Sequence, residues 1–253
     1  MHGPGRARLV VRLLSNAPLP QRSMMSKLRR DAVLFDLDGV LVDSRSAITG
    51  CINYALAAHG LPERAEGTLY GFIGPPLALA FAELTKQPSD SAVVVSCVGS
   101  YRERYAEASL RETGVVPGIT DALSQLADTH RLGVATSKPV VFAEPLLVAL
   151  GLRDFFDVVA APKLSAPSEH KSTTIGLALN ALSPIRAVMV GDRSFDIIGA
   201  HQHGLPAIGV TWGIGGTDEL TSEGAEAIVR DPKELPAAAR RLVAGASHGL
   251  PRL

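Results

Sequence analysis

The chain has 253 residues, enough for one large domain or two small ones. Hydrophobic residues make up 46% and charged residues 20%, a balance that can bury a core. Lys plus Arg and Asp plus Glu are both 25, so the formal net charge is zero, which argues against a broad electrostatic footprint for nucleic acid or an anionic membrane.

Residues 1–30 differ in character from the rest. They carry Arg6, Arg8, Arg12, Arg22, Lys27, Arg29 and Arg30, and no acid precedes Asp31. Such an Arg-rich leader looks like a mitochondrial transit peptide. The plainer reading is a disordered extension, or a true start at Met24 or Met25, and a cytoplasmic protein. No apolar run is long enough to span a bilayer. The two cysteines, Cys51 and Cys97, lack metal-ligand spacing and read as free thiols in a reducing compartment.

The first predicted strand is residues 32–35, a short apolar run that ends in Asp36-Leu37-Asp38-Gly39. Residues 46–114 then lack a convincing strand. Ala47, Ile48, Cys51, Ile52, Ala55 and Leu56 recur at helical spacing, and residues 77–85 and 91–110 also read as helices. Beyond them, strands are predicted at 132–135, 157–160, 187–190, 207–210 and 227–229. Helices are predicted at 119–129, 142–150, 172–182 and 194–203, with Gly151 and Gly204 as stop signals. This alternation predicts an α/β fold, a Rossmann-like parallel sheet core with an inserted all-helical cap domain. The core is placed at 31–45 and 115–243, the cap at 46–114 and a tail at 244–253. Hinges fall near residues 43–45 and 113–117.

Three segments stand at or just past strand ends, Asp36-Leu37-Asp38-Gly39-Val40, Ala135-Thr136-Ser137-Lys138-Pro139 and Gly191-Asp192-Arg193-Ser194-Phe195-Asp196, and a fourth, His170-Lys171, opens a helix. In open parallel sheets that edge is where ligands bind. In their order and context these segments resemble the four motifs of the haloacid dehalogenase-like hydrolases. The resemblance covers roughly residues 31–242 and is strongest to the phosphoglycolate phosphatase and nucleotidase-like branch. It implies a helical cap over a catalytic core, Mg²⁺ as cofactor and a small phosphorylated metabolite as substrate. Neither nucleic acid nor membrane is expected as a partner, and oligomeric state is left open.

The residue chemistry fits that expectation. Asp36 is the candidate nucleophile, because a carboxylate can attack phosphorus and divide hydrolysis into two easier steps. Asp38 is the candidate general acid/base. The dehalogenases of the family lack an acid there, so Asp38 favours phosphoryl transfer over carbon–halogen cleavage. Thr136, with Ser137 and the neighbouring backbone N–H groups, suits a non-transferring phosphate oxygen, although such a pair also serves as a helix N-cap. Ser137 stands where many relatives have Asn. Lys138 reads as solvated. Lys171 opposes a helix dipole, and that mild local cost hints at a role in neutralising Asp36 and the incoming phosphate.

Asp36 and Asp192 are the candidate metal ligands, with the backbone carbonyl of Asp38 as a third. Hard oxygen donors suit Mg²⁺. Asp196 is placed four residues on, sharing a helix face with Asp192, and the resemblance gives it a supporting role. Arg102 is the cap candidate for a second anionic group on the substrate, and Pro75 and Pro76 form a rigid turn that could face it. The glycine-rich run Gly213-Ile214-Gly215-Gly216 lacks a GxGxxG pattern and gets little weight. The leading expectation is a phosphatase acting on 2-phosphoglycolate, with a 5'-nucleotidase second. A sugar-phosphate mutase and a non-catalytic regulatory module on the same fold are the further alternatives.

Overall fold

The structure is a computed structural model that describes residues 31–165 and 170–246. The expected N-terminal extension lies outside those residues. Strand β1 (Asp31–Phe35) is followed by the two-residue β2 (Val42–Asp43). Four helices come next: α1 (Arg45–Ala58), α2 (Glu66–Leu69), α3 (Leu77–Thr85) and α4 (Ala92–Arg111). The chain then runs through β3 (Gly114–Val115), α5 (Ile119–Ala127), β4 (Arg131–Ala135), α6 (Val140–Ala149) and β5 (Val158–Ala160). It continues as α7 (Lys171–Leu182), β6 (Arg186–Gly191), α8 (Ser194–His201) and β7 (Ala207–Val210). It closes with α9 (Thr217–Ser222), β8 (Ala227–Val229) and α10 (Leu235–Gly245). The last helix runs to Gly245, two residues into the expected tail, and residues 247–253 lie outside the described chain.

Six strands form one parallel sheet in the order β5-β4-β1-β6-β7-β8. Each of the six predicted strands is present, with ends shifted by at most one residue. In β1 the side chains sort by parity. Val33 and Phe35 enter one apolar cluster with Leu123, Leu126, Val134 and Val190, while Ala32 and Leu34 enter the other with Ile175, Leu182 and Met189. Alternate residues of a strand face opposite sides, and a sheet covered by helices on both must be apolar on both. That is why β1 reads as an unbroken apolar run. Each buried Val, Leu or Phe of the strand contributes roughly 1.5–3 kcal/mol.

From β1 the chain reaches β4 and then β5 on one flank. It returns to β6 on the other side of β1 and continues outward to β7 and β8. The order therefore reverses between β1 and β6, and the crevice outside their carboxyl ends is where this topology places a ligand. Asp36 N–H donates to Val190 O of β6 at 2.9 Å, which fixes the two strand ends against each other.

Helices α1 to α4 interrupt the alternation and have an apolar core of their own, including Ile52, Leu56, Leu69, Phe81, Val94 and Tyr101. Ser91 caps α4, accepting the Val94 N–H at 3.4 Å. One feature was not expected: β2 and β3 pair antiparallel, Val42 with Val115 and Asp43 with Gly114. This ribbon joins the two crossings between sheet and insertion, where simple hinges were predicted. Among the described residues no helix is long and apolar enough to cross a membrane.

Candidate active site

Asp36 is the first residue past β1. The chain then turns: Gly39 N–H donates to Val42 O at 2.8 Å, with Gly39 at φ +84°. That conformation favours glycine. A Cβ at Gly39 would also fall 2.2 Å from Asp192 Oδ2, so the position has no room for a side chain. Leu37 is buried between the two aspartates, and the turn carries Asp38 round beside Asp36.

Lys171, first residue of α7, is buried. Its Nζ lies 2.6 Å from Asp36 Oδ1 and 2.8 Å from Asp196 Oδ1. Burial alone would push the ammonium's pKa down, but the Asp196 and Asp36 carboxylates outweigh it and push it up, so Lys171 stays charged. Asp36 responds in the opposite sense. Its carboxyl is pushed up to about 6, by burial first, against the pull of Lys171 and with the Asp196 charge adding to the rise.

Asp192 is wholly buried at the end of β6. One oxygen, Oδ2, accepts the Ile214 N–H at 2.8 Å, whereas Oδ1 has no hydrogen-bond partner among the described residues. Its pKa is pushed well up, by burial first and then by the Asp196 and Asp36 charges. A buried carboxylate with a bare oxygen is costly unless a cation covers it. Asp196 is different: Oδ2 accepts the N–H groups of Asp192 and Arg193, both at 3.1 Å, and Oδ1 is held by Lys171. Asp36, Asp192 and Asp196 can bring one oxygen each within 4.8 Å of one another, a set able to hold a metal ion. Of the three, Asp196 is fully engaged by the protein and Asp192 is not. The donor set therefore fits a hard divalent cation on Asp36 and Asp192, with Asp196 as support.

Asp192 precedes α8, which begins at Ser194, so the two acids do not share a helix face as predicted. The tight turn brings them together instead. A Cβ on Gly191 would lie 2.1 Å from Asp196 Cβ.

The glycine-rich run needs a larger correction. Gly213, Ile214 and Gly215 wrap Asp192. Gly215 N–H donates to Asp192 O at 3.0 Å, and a Cβ on Gly213 would fall 2.3 Å from Asp192 Oδ2. Its backbone cradles a carboxylate, so the phosphate fingerprint was the wrong pattern to look for. Three glycines in four residues just beyond β7 was the available signal. Gly213→Ala is expected to leave the fold intact but push Asp192 out of place. The divalent-ion concentration for half-maximal activity should rise about tenfold or more, by analogy with losses on disturbing ligand support. An unchanged metal titration would show that Asp192 is not held by this turn.

Thr136 directly follows β4 in a buried position, and its hydroxyl oxygen accepts the Lys138 N–H at 3.1 Å. The N-cap residue of α6 is Pro139, so Thr136 and Ser137 are not that helix's caps. Ser137 is half-buried. Lys138, expected in solvent, is buried with its Nζ 2.8 Å from Asp38 Oδ1. The same oxygen accepts the Ser44 hydroxyl at 2.6 Å. Lys138, Ser44 and the 213–215 turn are thus the site components that sequence reasoning missed. Arg102 lies on α4 beside a cavity of about 400 Å³, lined also by Val140, Val141 and Lys163. Its Nε is buried without a hydrogen-bond partner among the described residues. Pro75 follows Gly74, and Pro76 leads into α3. Ile73, the residue before Gly74, accepts Arg193 Nη1–H through its carbonyl at 2.7 Å.

A parallel sheet with one buried carboxylate after a central strand, a second after its neighbour and a buried lysine pairing Asp36 with Asp196 is an arrangement suited to phosphoryl transfer. The comparisons agree. Residues 33–210 match the sequence profile described as haloacid dehalogenase-like hydrolase. A 5'-nucleotidase of Pseudomonas aeruginosa is 38% identical over 196 residues, covering 76% of this chain and 88% of that protein. A phosphoglycolate phosphatase of Cupriavidus necator is 34% identical over 212 residues, covering 81% and 91%. A crystal structure described as a predicted phosphatase from Clostridium acetobutylicum superposes with a TM-score of 0.77 at 35% identity, covering 83% of this chain and 98% of that one. The chain belongs to the haloacid dehalogenase-like hydrolases, and it is an enzyme of their phosphatase branch.

Proposed function

We propose that the protein is a Mg²⁺-dependent phosphomonoesterase acting on a small phosphate ester through an aspartyl-phosphate at Asp36. The observation that carries this reading is the buried lysine-bridged acid cluster, in which Asp192 keeps one oxygen bare beside the Asp36 carboxylate. A carboxylate of Asp36 attacks phosphorus and the ester P–O bond breaks. Asp38 gives its proton to the departing alkoxide. Water then attacks phosphorus, Asp38 takes its proton, and the Asp36–phosphorus bond breaks to release inorganic phosphate. Lys171 places a fixed positive charge where negative charge accumulates, and Thr136 with Ser137 holds a non-transferring oxygen. Mg²⁺, held by Asp36, Asp192 and the backbone carbonyl of Asp38, would neutralise phosphate charge at the same point.

The helical insertion at 46–114 is assigned the role of a cap that excludes water and reads the leaving group, with Arg102 facing a second anionic group. The buried thiols of Cys51 and Cys97 suit a cytoplasmic protein. The relative from Cupriavidus necator supports 2-phosphoglycolate as first substrate, and the Pseudomonas aeruginosa relative supports a nucleoside monophosphate as second.

A phosphate-release screen tests this. It covers 2-phosphoglycolate, nucleoside 5'-monophosphates, glucose 1-phosphate and p-nitrophenyl phosphate, each with Mg²⁺ and with EDTA. Release is expected with Mg²⁺, to vanish in EDTA and to return with Mg²⁺ better than with Ca²⁺, whose larger and looser coordination fits in-line geometry poorly. Full activity in EDTA would remove the metal from the account. Rapid glucose 6-phosphate formation with little free phosphate would make the protein a mutase.

A further inference from the structure

The buried ammonium of Lys138 has two partners, and they belong to different parts of the fold. One is Asp38 Oδ1, 2.8 Å away in the core. The other is the hydroxyl of Tyr105, on α4 of the helical insertion, to which Lys138 Nζ donates a hydrogen bond. The ammonium also lies 4.7 Å from the centre of the Tyr105 ring. Tyr105 is fixed in turn. It stacks on Tyr101 at 5.2 Å with 15° between planes, and it meets Phe142 of α6 edge-on at 5.3 Å. Its hydroxyl therefore has one place to be while α4 sits on the core.

The consequence concerns Asp38. Lys138 and Ser44 both hold Oδ1, at 2.8 and 2.6 Å. The carboxylate is clamped by one oxygen, and the other is left to exchange a proton with the leaving group or with water. The Lys138 clamp depends on the insertion, because Tyr105 holds it from above, and Ser44 lies at the crossing into the insertion, directly before α1. A proton-transfer group gains its rate from being held in a productive orientation, and a small misplacement is costly.

We propose that Lys138 and Tyr105 are a positioning pair that fixes the carboxylate of Asp38 for proton transfer, and that they do so only when the helical insertion is seated on the core. The inference rests on the phosphatase reading and on Asp38 as its proton-transfer group, and it adds two residues that touch neither phosphorus nor metal. It also gives the insertion a second role besides reading the leaving group. Proton transfer is armed by the contact between insertion and core, so an ester whose leaving group needs a proton is cleaved efficiently only once it is enclosed.

Leaving-group chemistry tests the pair. An alkyl ester needs a proton on its departing oxygen, whereas p-nitrophenyl phosphate expels a stabilised phenolate that does not. The value of kcat/KM reports steps up to departure of that group, so later water attack does not enter. The variants are Tyr105→Phe, which keeps the ring and its stacking, Lys138→Met, and Lys138→Arg as the conservative replacement.

On the alkyl ester that wild type hydrolyses best, Lys138→Met should lose about 10²-fold in kcat/KM and Tyr105→Phe about 10-fold, with Lys138→Arg recovering part of the loss. On p-nitrophenyl phosphate all three should stay within about threefold of wild type, which also reports that they fold. Equal losses on both esters in Tyr105→Phe, or no loss on the alkyl ester, would overturn the inference while leaving the phosphatase reading intact. A wild-type enzyme inert toward every ester would overturn both.

Discussion

Asp36→Asn is expected to abolish turnover, with kcat at least about 10⁴-fold below wild type, the scale seen when a covalent nucleophile is removed. The amide has nearly the volume of the carboxylate, so the packing around β1 is undisturbed. Lys171 keeps its Asp196 contact at 2.8 Å, and the fold persists. The loss should fall on every ester alike, p-nitrophenyl phosphate included, because the nucleophile serves them all. Circular dichroism and thermal melting check the fold, and phosphate release checks the rate. A variant retaining a tenth of wild-type kcat would show that Asp36 is not the attacking group.

Lys171→Met acts differently, because the residue serves both chemistry and stability. Its ammonium sits between Asp36 and Asp196 with a side chain only 4% exposed. Removing it leaves Asp36, Asp192 and Asp196 facing one another with no fixed positive charge. Breaking such a buried pair costs about 3–5 kcal/mol when one charge is left uncompensated. The metal-free variant should therefore melt well below wild type. Mg²⁺ should restore part of that difference, since it places a new cation against the same carboxylates. Loss of the charge beside the transferring group should also lower kcat by about 10²- to 10³-fold. A variant with wild-type melting temperature and kcat would mean that Lys171 merely fills space.

The sheet and most of the acid cluster were legible because their causes are local. Residues 32–35 are apolar on both parities since both faces of β1 are covered, and the same holds for β6. Asp36, Lys171 and Asp192 each occupy a strand or helix end, where the break in apolar pattern is visible. The β2–β3 ribbon was not legible, because two residues are too few for alternation to show.

Lys138 was misread for a different reason. Beside Pro139 it looks like a solvated loop lysine, and its burial depends on Tyr105, 33 positions earlier in the chain. No local pattern carries a contact of that range. The 213–215 turn shows in the sequence only as a glycine-rich run without a recognised pattern. Its glycines answer to the shape of Asp192, which is a tertiary fact. Asp192 and Asp196 were correctly paired although the predicted shared helix face is absent. Their spacing of four residues suits a strand-to-helix turn as well as a helix.

The central claim is that phosphoryl groups pass through the Asp36 carboxylate, and chemical trapping tests it most directly. Wild-type enzyme is mixed with Mg²⁺ and its best ester, quenched within a turnover, and reduced with borohydride, which converts an aspartyl-phosphate to homoserine. Peptide mass analysis then locates the change. The account predicts homoserine at position 36, dependent on substrate and Mg²⁺, with none at Asp38, Asp192 or Asp196. Reduction at another carboxylate, or trapping at 36 that is identical without substrate, would contradict it.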